Sequence, residues 1–397
     1  MRLAARSAPH TCITIGLALV LALTGSVTGS MGRVHAASKD HTNLDRAITS
    51  YQAMQTYLYL GPANHSLYLE EYPKQPSDNP YSYVWELREA TAATVDMAGL
   101  PRVGGQYAAD VQDRLSALQN YWDSAKTPHG FDSYLPAPLG PGGDIYYDDN
   151  DVIGLELVRI YRATGDPTVL DRAEQVFHLI EFGWDSDPSH PCPGGEQWTQ
   201  GTWTAPIRAT NATALGSEFA LHLYQLTGQQ SYLDWGKKMY EWNRGCVLSP
   251  DGLYWNDMDF QGNIDKALWI YNDGAMIGAG ALLYTVTGDS VYLQQAASTA
   301  DATMAYFGAG GRYYIQPAIF DAIFFKNLLL LDSIQHNPKY RQTMQAYADA
   351  IWQADRDPAT GLFTFGASQP AQVLEHAAMV QIYAALAWDP KDDAGLA

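Results

Sequence analysis

Three copies of one short motif constrain the fold of this chain more than any other feature. Tyr161-Arg-Ala-Thr164-Gly165-Asp166 recurs as Tyr224-Gln-Leu-Thr227-Gly228-Gln229, and again as Tyr284-Thr-Val-Thr287-Gly288-Asp289. In each copy an apolar period of about 3.6 residues runs into the Thr-Gly, breaks, and resumes beyond it. Glycine is expected just past a helix end, where left-handed backbone closes the last turn, and the polar residues after it suit the start of another helix. Each copy therefore reads as a helix, a tight turn and a returning helix. The copies begin 63 and 60 residues apart, the length of a helical hairpin plus a long loop.

The same pattern, extended both ways, predicts twelve helices near 42–59, 81–98, 106–123, 150–164, 167–182, 210–227, 230–244, 271–287, 289–306, 318–335, 338–354 and 371–388, with no convincing alternating strand between them. Repeats of this size build a solenoid or a closed ring. Every second helix, such as 150–164, 210–227 and 271–287, is rich in Ala, Gly, Leu and Ile around much of its surface, and is expected to be buried on most sides. The partners carry more charge, as in Asp171-Arg172-Ala-Glu174. Six buried and six amphipathic helices give an all-α fold, an (α/α)6 barrel, over a single domain spanning 37–397. The long loops that enter the buried helices then gather at one end, where a site is expected.

The first 36 residues stand apart. Arg2 and Arg6 precede a short apolar run from Ile13 to Leu23, and Val34-His35-Ala36 supplies small residues for cleavage, which is the pattern of a secretory signal. The run is too short for a membrane span, which needs roughly 20 residues, and no other stretch reads as one. Removing the segment's three arginines leaves 21 basic against 43 acidic residues. Nucleic acid and anionic membrane surfaces are excluded as partners, because phosphate binding needs a basic footprint. A secreted protein with a neutral ligand is expected, and 26 Tyr and 11 Trp offer flat faces that suit sugars as well as cores. Two cysteines remain, Cys192 and Cys246; an oxidising compartment allows them to pair, and spacing alone does not decide it.

The sharpest polar cluster is Tyr146-Tyr147-Asp148-Asp149-Asn150-Asp151, at the start of a buried helix and behind Gly140-Pro-Gly-Gly143. Capping a helix uses one carboxylate, not several. Glycoside hydrolysis needs two carboxyl groups with different jobs, and neighbours in a first helical turn can flank one reacting centre. Two close anions also resist joint ionisation, which lifts one toward general-acid duty.

That cluster, together with Gly183-Trp184-Asp185, Asp251-Gly252-Leu253-Tyr254, Tyr271-Asn272-Asp273-Gly274 and Phe324-Phe325-Lys326-Asn327-Leu328, resembles glycoside hydrolase family 76 over about 40–390. The resemblance implies an (α/α)6 barrel, endo action on α-1,6-linked mannan with retention, Asp148 as nucleophile and Asp149 as acid/base. It implies no cofactor and no metal. Substrate contacts are expected from Tyr147, Asn150, Trp198, Asn211, Tyr271, Asn272 and Asp273, and a monomer is expected. The sequence departs from the family at Gly194-Gly195-Glu196, where a third glycine is usual, at Asp273 in place of an amide, and at Asp321 in place of Asn. Two other readings share the fold: a transglycosylase passing the mannosyl unit to another sugar, and a non-catalytic glycan-binding barrel.

Other features carry two readings each. Trp198 and Trp203 either stack on sugar rings or pack their loop. Trp85-Glu86 either faces the cavity or fills core, and Asn211 either bonds a hydroxyl or caps its helix. Asp257-Met-Asp259-Phe-Gln261-Gly262 has the start of a calcium loop but Leu268 where the bidentate Glu belongs, so calcium is not expected there.

Overall fold

The repeats do form hairpins. The computed structural model describes residues 42–366 and 370–395, so the secretory signal expected over 1–36 lies outside the described residues. Its α-helices are α1 (Asn43–Tyr57), α2 (Val84–Ala98), α3 (Ala108–Leu118), α4 (Tyr147–Thr164), α5 (Pro167–Gly183), α6 (Thr210–Thr227), α7 (Gln230–Cys246), α8 (Ile270–Thr287), α9 (Ser290–Gly308), α10 (Ala318–Ile334), α11 (Pro338–Ala354) and α12 (Val373–Ala387). Each expected helix is present.

The Thr-Gly motif works through both residues. Gly165, Gly228 and Gly288 close α4, α6 and α8 at φ of 69°, 69° and 73°, a conformation that costs other residues more. Thr164, Thr227 and Thr287 each donate to the carbonyl four residues back and accept the N–H two residues on. Asp166 and Asp289 then cap α5 and α9.

The even-numbered helices form the inner ring. Each packs on the next, α2 to α4 to α6 to α8 to α10 to α12, and α12 returns to α2. The odd-numbered helices lie outside them, α5 on α4, α7 on α6, α9 on α8 and α11 on α10 and α12. In α8 every residue from Asn272 to Leu283 is buried. Gly274 explains how closely α8 approaches α10: a Cβ there would stand 2.7 Å from the Phe324 Cα.

The bore is not wholly apolar. Arg88 pairs with Glu89 and Glu156, Arg159 with Glu156 and Asp96, and Lys326 with Asp96, while Gln381 donates to Glu89. Three cations and three anions from α2, α4 and α10 balance in this buried network, as buried charge requires.

The structure departs from the sequence expectation in one respect. Among the described residues there are small antiparallel sheets: β1 (Glu71–Tyr72) with β7 (Ala371–Gln372), β2 (Trp122–Asp123) with β3 (Gly130–Phe131), and β4 (Ile207–Ala209), β5 (Trp255–Asp259) and β6 (Ile264–Leu268) in that order. They lie in the loops that enter inner helices. Strands of two to five residues are too short to show alternation. The calcium-like stretch is β5 and its turn, where the Asp259 carboxylate accepts N–H groups of Gln261 at 2.9 Å and Asn263 at 2.8 Å.

Among the described residues no helix is long and apolar enough to cross a membrane. Cys192 and Cys246 are bonded, with Cα atoms 6.1 Å apart, and tie the 184–209 loop to the end of α7. The bond spans 54 residues, so replacing both cysteines with serine is expected to lower the unfolding free energy by about 2–4 kcal/mol. Denaturant titration of the oxidised protein and the double variant measures this; equal midpoints and slopes would show that the loop is held without it.

Candidate active site

Helix α4 begins at Tyr147, three residues before the sequence pattern places it, and this puts Asp148 and Asp149 in its first turn. Free amides and the helix dipole favour negative charge there. Asp148 Oδ1 accepts the Asp149 N–H at 3.0 Å, and Oδ2 accepts Trp198 Nε1 at 3.1 Å and Asn211 Nδ2 at 2.7 Å.

The backbone brings those two donors to one carboxylate. The 196–200 segment lies between the start of α4 and β4. On one side the Trp198 carbonyl accepts the Tyr147 N–H at 2.9 Å and the Gln200 N–H reaches the Ile145 carbonyl at 3.0 Å. On the other, Trp198 N–H donates to Ile207 at 3.2 Å and Ala209 N–H to Glu196 at 2.8 Å. Asn211 follows β4 in the first turn of α6. Arg208, fully buried in β4, fixes this arrangement by donating to the carbonyls of Pro191, Cys192 and Asp259 and pairing with Asp185 at 3.4 Å.

Both aspartates are half-buried at the bottom of a cleft. A cavity of about 40 Å³ there is lined by Trp85, Asp148, Asp149, Val152, Asn211, Leu215, Tyr271 and Ile323. Larger grooves, of about 700 and 590 Å³, lie on the outer wall along α5 and between α9 and α11, away from the paired aspartates. An aromatic wall flanks the carboxyls: Tyr271 stacks on Phe320 with ring centroids 3.9 Å apart and planes 8° apart, and Trp85 lies over the other part of this wall, 6.3 Å from Phe320. Tyr146, Trp198 and the exposed Trp203 form a second aromatic group.

The two carboxyls differ electrostatically. Burial pushes Asp148 up to about 6, against the pull of Asn211, the Asp149 amide and Trp198. Burial also raises Asp149, but there the charges of Asp148, Glu86 and Glu89 add to it, opposed by Arg88, and it stands well above the usual carboxylate range. Asp148 is thus the easier to ionise, and Asp149 keeps its proton. One anion and one acid side by side are the two groups that displacement at an acetal carbon needs.

Of the expected contacts, Trp198, Asn211 and Tyr271 stand with the aspartates and four residues do not. Tyr147 is buried against Gly183, with its hydroxyl accepting from Gln200. Asn150 spends its amide on the Phe131 N–H, the Phe131 carbonyl and the Tyr146 carbonyl, clamping β3 to α4. Asn272 is fully buried. Asp273 accepts the Tyr254 N–H at 2.8 Å and bonds Thr303 of α9, and burial pushes it up to about 8. Asp321 meets Tyr347 of α11. The two aspartate departures from the family pattern therefore face the outer ring and not the cleft. Trp85 lines the cavity instead, with Phe320 stacked behind Tyr271 and with Glu86 and Glu89 acting on Asp149 by charge; the Trp85-Glu86 pair at the head of an apolar helix is the sequence signal for two of them.

Comparison with known proteins agrees with the motifs. The sequence model described as Glycosyl hydrolase family 76 matches residues 43–385. A mannan endo-1,6-alpha-mannosidase of Saccharomyces cerevisiae is 30% identical over 153 residues, 36% of this chain and 33% of that protein. One of Candida albicans is 27% identical over 247 residues, 58% of this chain and 51% of that protein. The chain thus spans about a third to a half of the curated relatives it matches. A family 76 glycoside hydrolase from a bovine Bacteroides thetaiotaomicron strain has the same fold, with TM-score 0.76 and 24% identity over 88% of this chain and 78% of that one. An inactive variant of an α-1,6-mannanase of Salegentibacter, with two adjacent aspartates changed to asparagine and α-1,6-mannotriose bound, gives TM-score 0.68 and 19% identity over 86% and 98%.

Removing a donor from Asp148 should show directly. A hydrogen bond to a charged group is worth about 1.5–3 kcal/mol, or one to two pKa units. Trp198→Phe and Asn211→Ala should each raise Asp148's titration by about one unit or more in carboxyl NMR; an unmoved midpoint would mean these donors do not hold the anion.

Proposed function

This chain belongs to glycosyl hydrolase family 76, and from that premise we propose that it hydrolyses α-1,6-mannosidic bonds within mannan backbones, with retention, through a mannosyl-enzyme intermediate. The observation that carries this reading is the unequal treatment of two adjacent carboxyls: Asp148 takes three hydrogen bonds, and Asp149 faces two further acids. The names of the relatives supply the linkage.

Asp148, ionised, attacks the anomeric carbon while Asp149 gives its proton to the leaving oxygen. Forming the ester removes the negative charge on Asp148, and that charge is one of the causes holding Asp149's proton. Asp149 therefore becomes more acidic as the leaving group needs protonating, and is left as the base that activates water. Trp198 and Asn211 keep the attacking carboxylate in one orientation. Trp85 and Tyr271, which line the cavity, offer flat apolar faces for pyranose rings, with Phe320 stacked behind Tyr271. The Cys192–Cys246 bond fits action outside the cell, in an oxidising compartment.

Debranched α-1,6-mannan digested by the oxidised protein should give a ladder of oligomers whose fresh ends keep the α configuration by NMR. Free mannose alone would mean exo action, inverted ends a different mechanism, and longer products on adding acceptor a transglycosylase. Asp149→Asn should cost roughly 10²–10⁴ in rate, and Asp148→Asn at least as much; full turnover in either would sink the assignment. Activity should rise with pH as Asp148 ionises, around 6, and fall as Asp149 loses its proton.

A further inference from the structure

We propose that Asp151 and Glu196 form a buried carboxyl pair that shares a proton behind Asp148, and that this pair holds in place the 196–200 segment presenting Trp198 to the nucleophile. The positioning role rests on the reading of Asp148 given above; the shared proton does not.

Asp151 lies on α4, three residues beyond Asp148, and Glu196 enters from the 184–209 loop. Both are fully buried, and none of their four carboxyl oxygens meets a hydrogen-bond partner among the described residues. The two converge on one point of α6: a Cβ built on Gly216 would stand 2.8 Å from Glu196 Oε2 and 3.3 Å from Asp151 Oδ1. The other groups facing them offer no counter-charge. They are Asp148 and the Tyr147 hydroxyl of α4, Glu218 of α6, and the thioether of Met239 of α7, 3.1 Å from the same point. Arg88 and Arg208, on adjoining elements, are paired with Glu89 and Glu156 and with Asp185.

A buried carboxylate without donor or counter-ion is costly, and two side by side more so. A single proton changes this, because it makes one carboxyl the donor to the other. Burial first, and neighbouring acids second, hold both groups well above the usual carboxylate range.

Glu196 is joined to the nucleophile through the backbone. Its N–H donates to Thr213 Oγ1 at 2.9 Å and its carbonyl accepts the Ala209 N–H at 2.8 Å. Two residues on, Trp198 donates to Asp148. If both acids of the pair ionise, repulsion moves Glu196 off Asp151, draws Trp198 from Asp148, and leaves added negative charge behind the attacking group.

Carboxyls whose folded pKa is raised bind more protons in the folded than in the unfolded chain, so their contribution is present below the unfolded pKa and is lost as pH rises through the folded values. Glu196→Gln and Asp151→Asn each replace the shared proton with a permanent amide donor. Relative to the unaltered protein, both should raise Tm by about 2–4 °C near pH 8.5 and not near pH 5. The Trp198 indole N–H, which donates to Asp148, should shift in the NMR spectrum of the unaltered protein between pH 5 and pH 8.5 and hold its pH 5 position in both variants. Identical Tm-against-pH curves for all three proteins would overturn the shared proton. A shifted Tm curve with the same Trp198 titration in all three proteins would overturn the positioning role. The Tm measurement needs no turnover, so a wrong assignment of Asp148 would leave that arm standing. Circular dichroism near pH 5 confirms folding, and each variant serves as the check on the other.

Discussion

Closure of the inner ring is the constraint on which the rest depends. Six helices that are apolar on most sides cannot bury both flanks in an open row, and here the sixth packs against the first, α12 on α2. A closed ring leaves no inner helix with an open flank, but it creates a bore that must be filled. Part of the filling is large apolar side chains. Part is the Arg88–Glu89–Glu156–Arg159–Asp96–Lys326 network, in which each charge finds an opposite one. Alternation of inner and outer helices also fixes chain direction. Every inner helix starts at the same end, so six helix N-termini and the six loops that enter them face one space.

The chemistry follows from what that end collects. Helix N-termini stabilise anions, which favours placing carboxylates there, yet the acids at this end are not equivalent. Asp148 lies where the 196–200 segment and α6 deliver an indole and an amide to it. Asp149 lies nearer to α2, whose first turns carry Glu86 and Glu89. Burial pushes Glu86 itself up to about 8. The difference between the two carboxyls is therefore set by which neighbouring helix each residue faces, not by the residues themselves. The acidity of the chain acquires a local meaning in the same way: Glu86, Asp148 and Asp149 gather at one cleft, and burial raises all three above the usual carboxylate range.

The fold was legible because its signal is repeated and local. A Thr that bonds backward and forward and a Gly in left-handed backbone mark the same hairpin turn three times, and apolar periodicity locates the rest. The aspartate pair was legible as a polar cluster opening an apolar helix. The sequence did not show which neighbours of that pair share its face. Successive residues in a helix turn by about 100°, so Asp148 and Asp149 meet the cleft while Tyr147 meets Gly183 and Asn150 meets β3. Asp273 sits in a motif with Tyr271 and yet points to Thr303, for the same reason. Phe320 was hidden differently. An apolar side chain on an apolar helix has the same periodicity whether it packs on a neighbouring helix or, as here, behind an aromatic ring that lines a cleft.

The central claim is that Asp148, and not its neighbour, makes the covalent bond. An activated 2-fluoro-α-mannoside slows breakdown of such an intermediate enough for intact-mass and peptide analysis. The account predicts one added fluoromannosyl group, on the peptide position of Asp148, and none in Asp148→Asn. A label on Asp149, or no label while α-1,6-mannan is still cleaved, would contradict it.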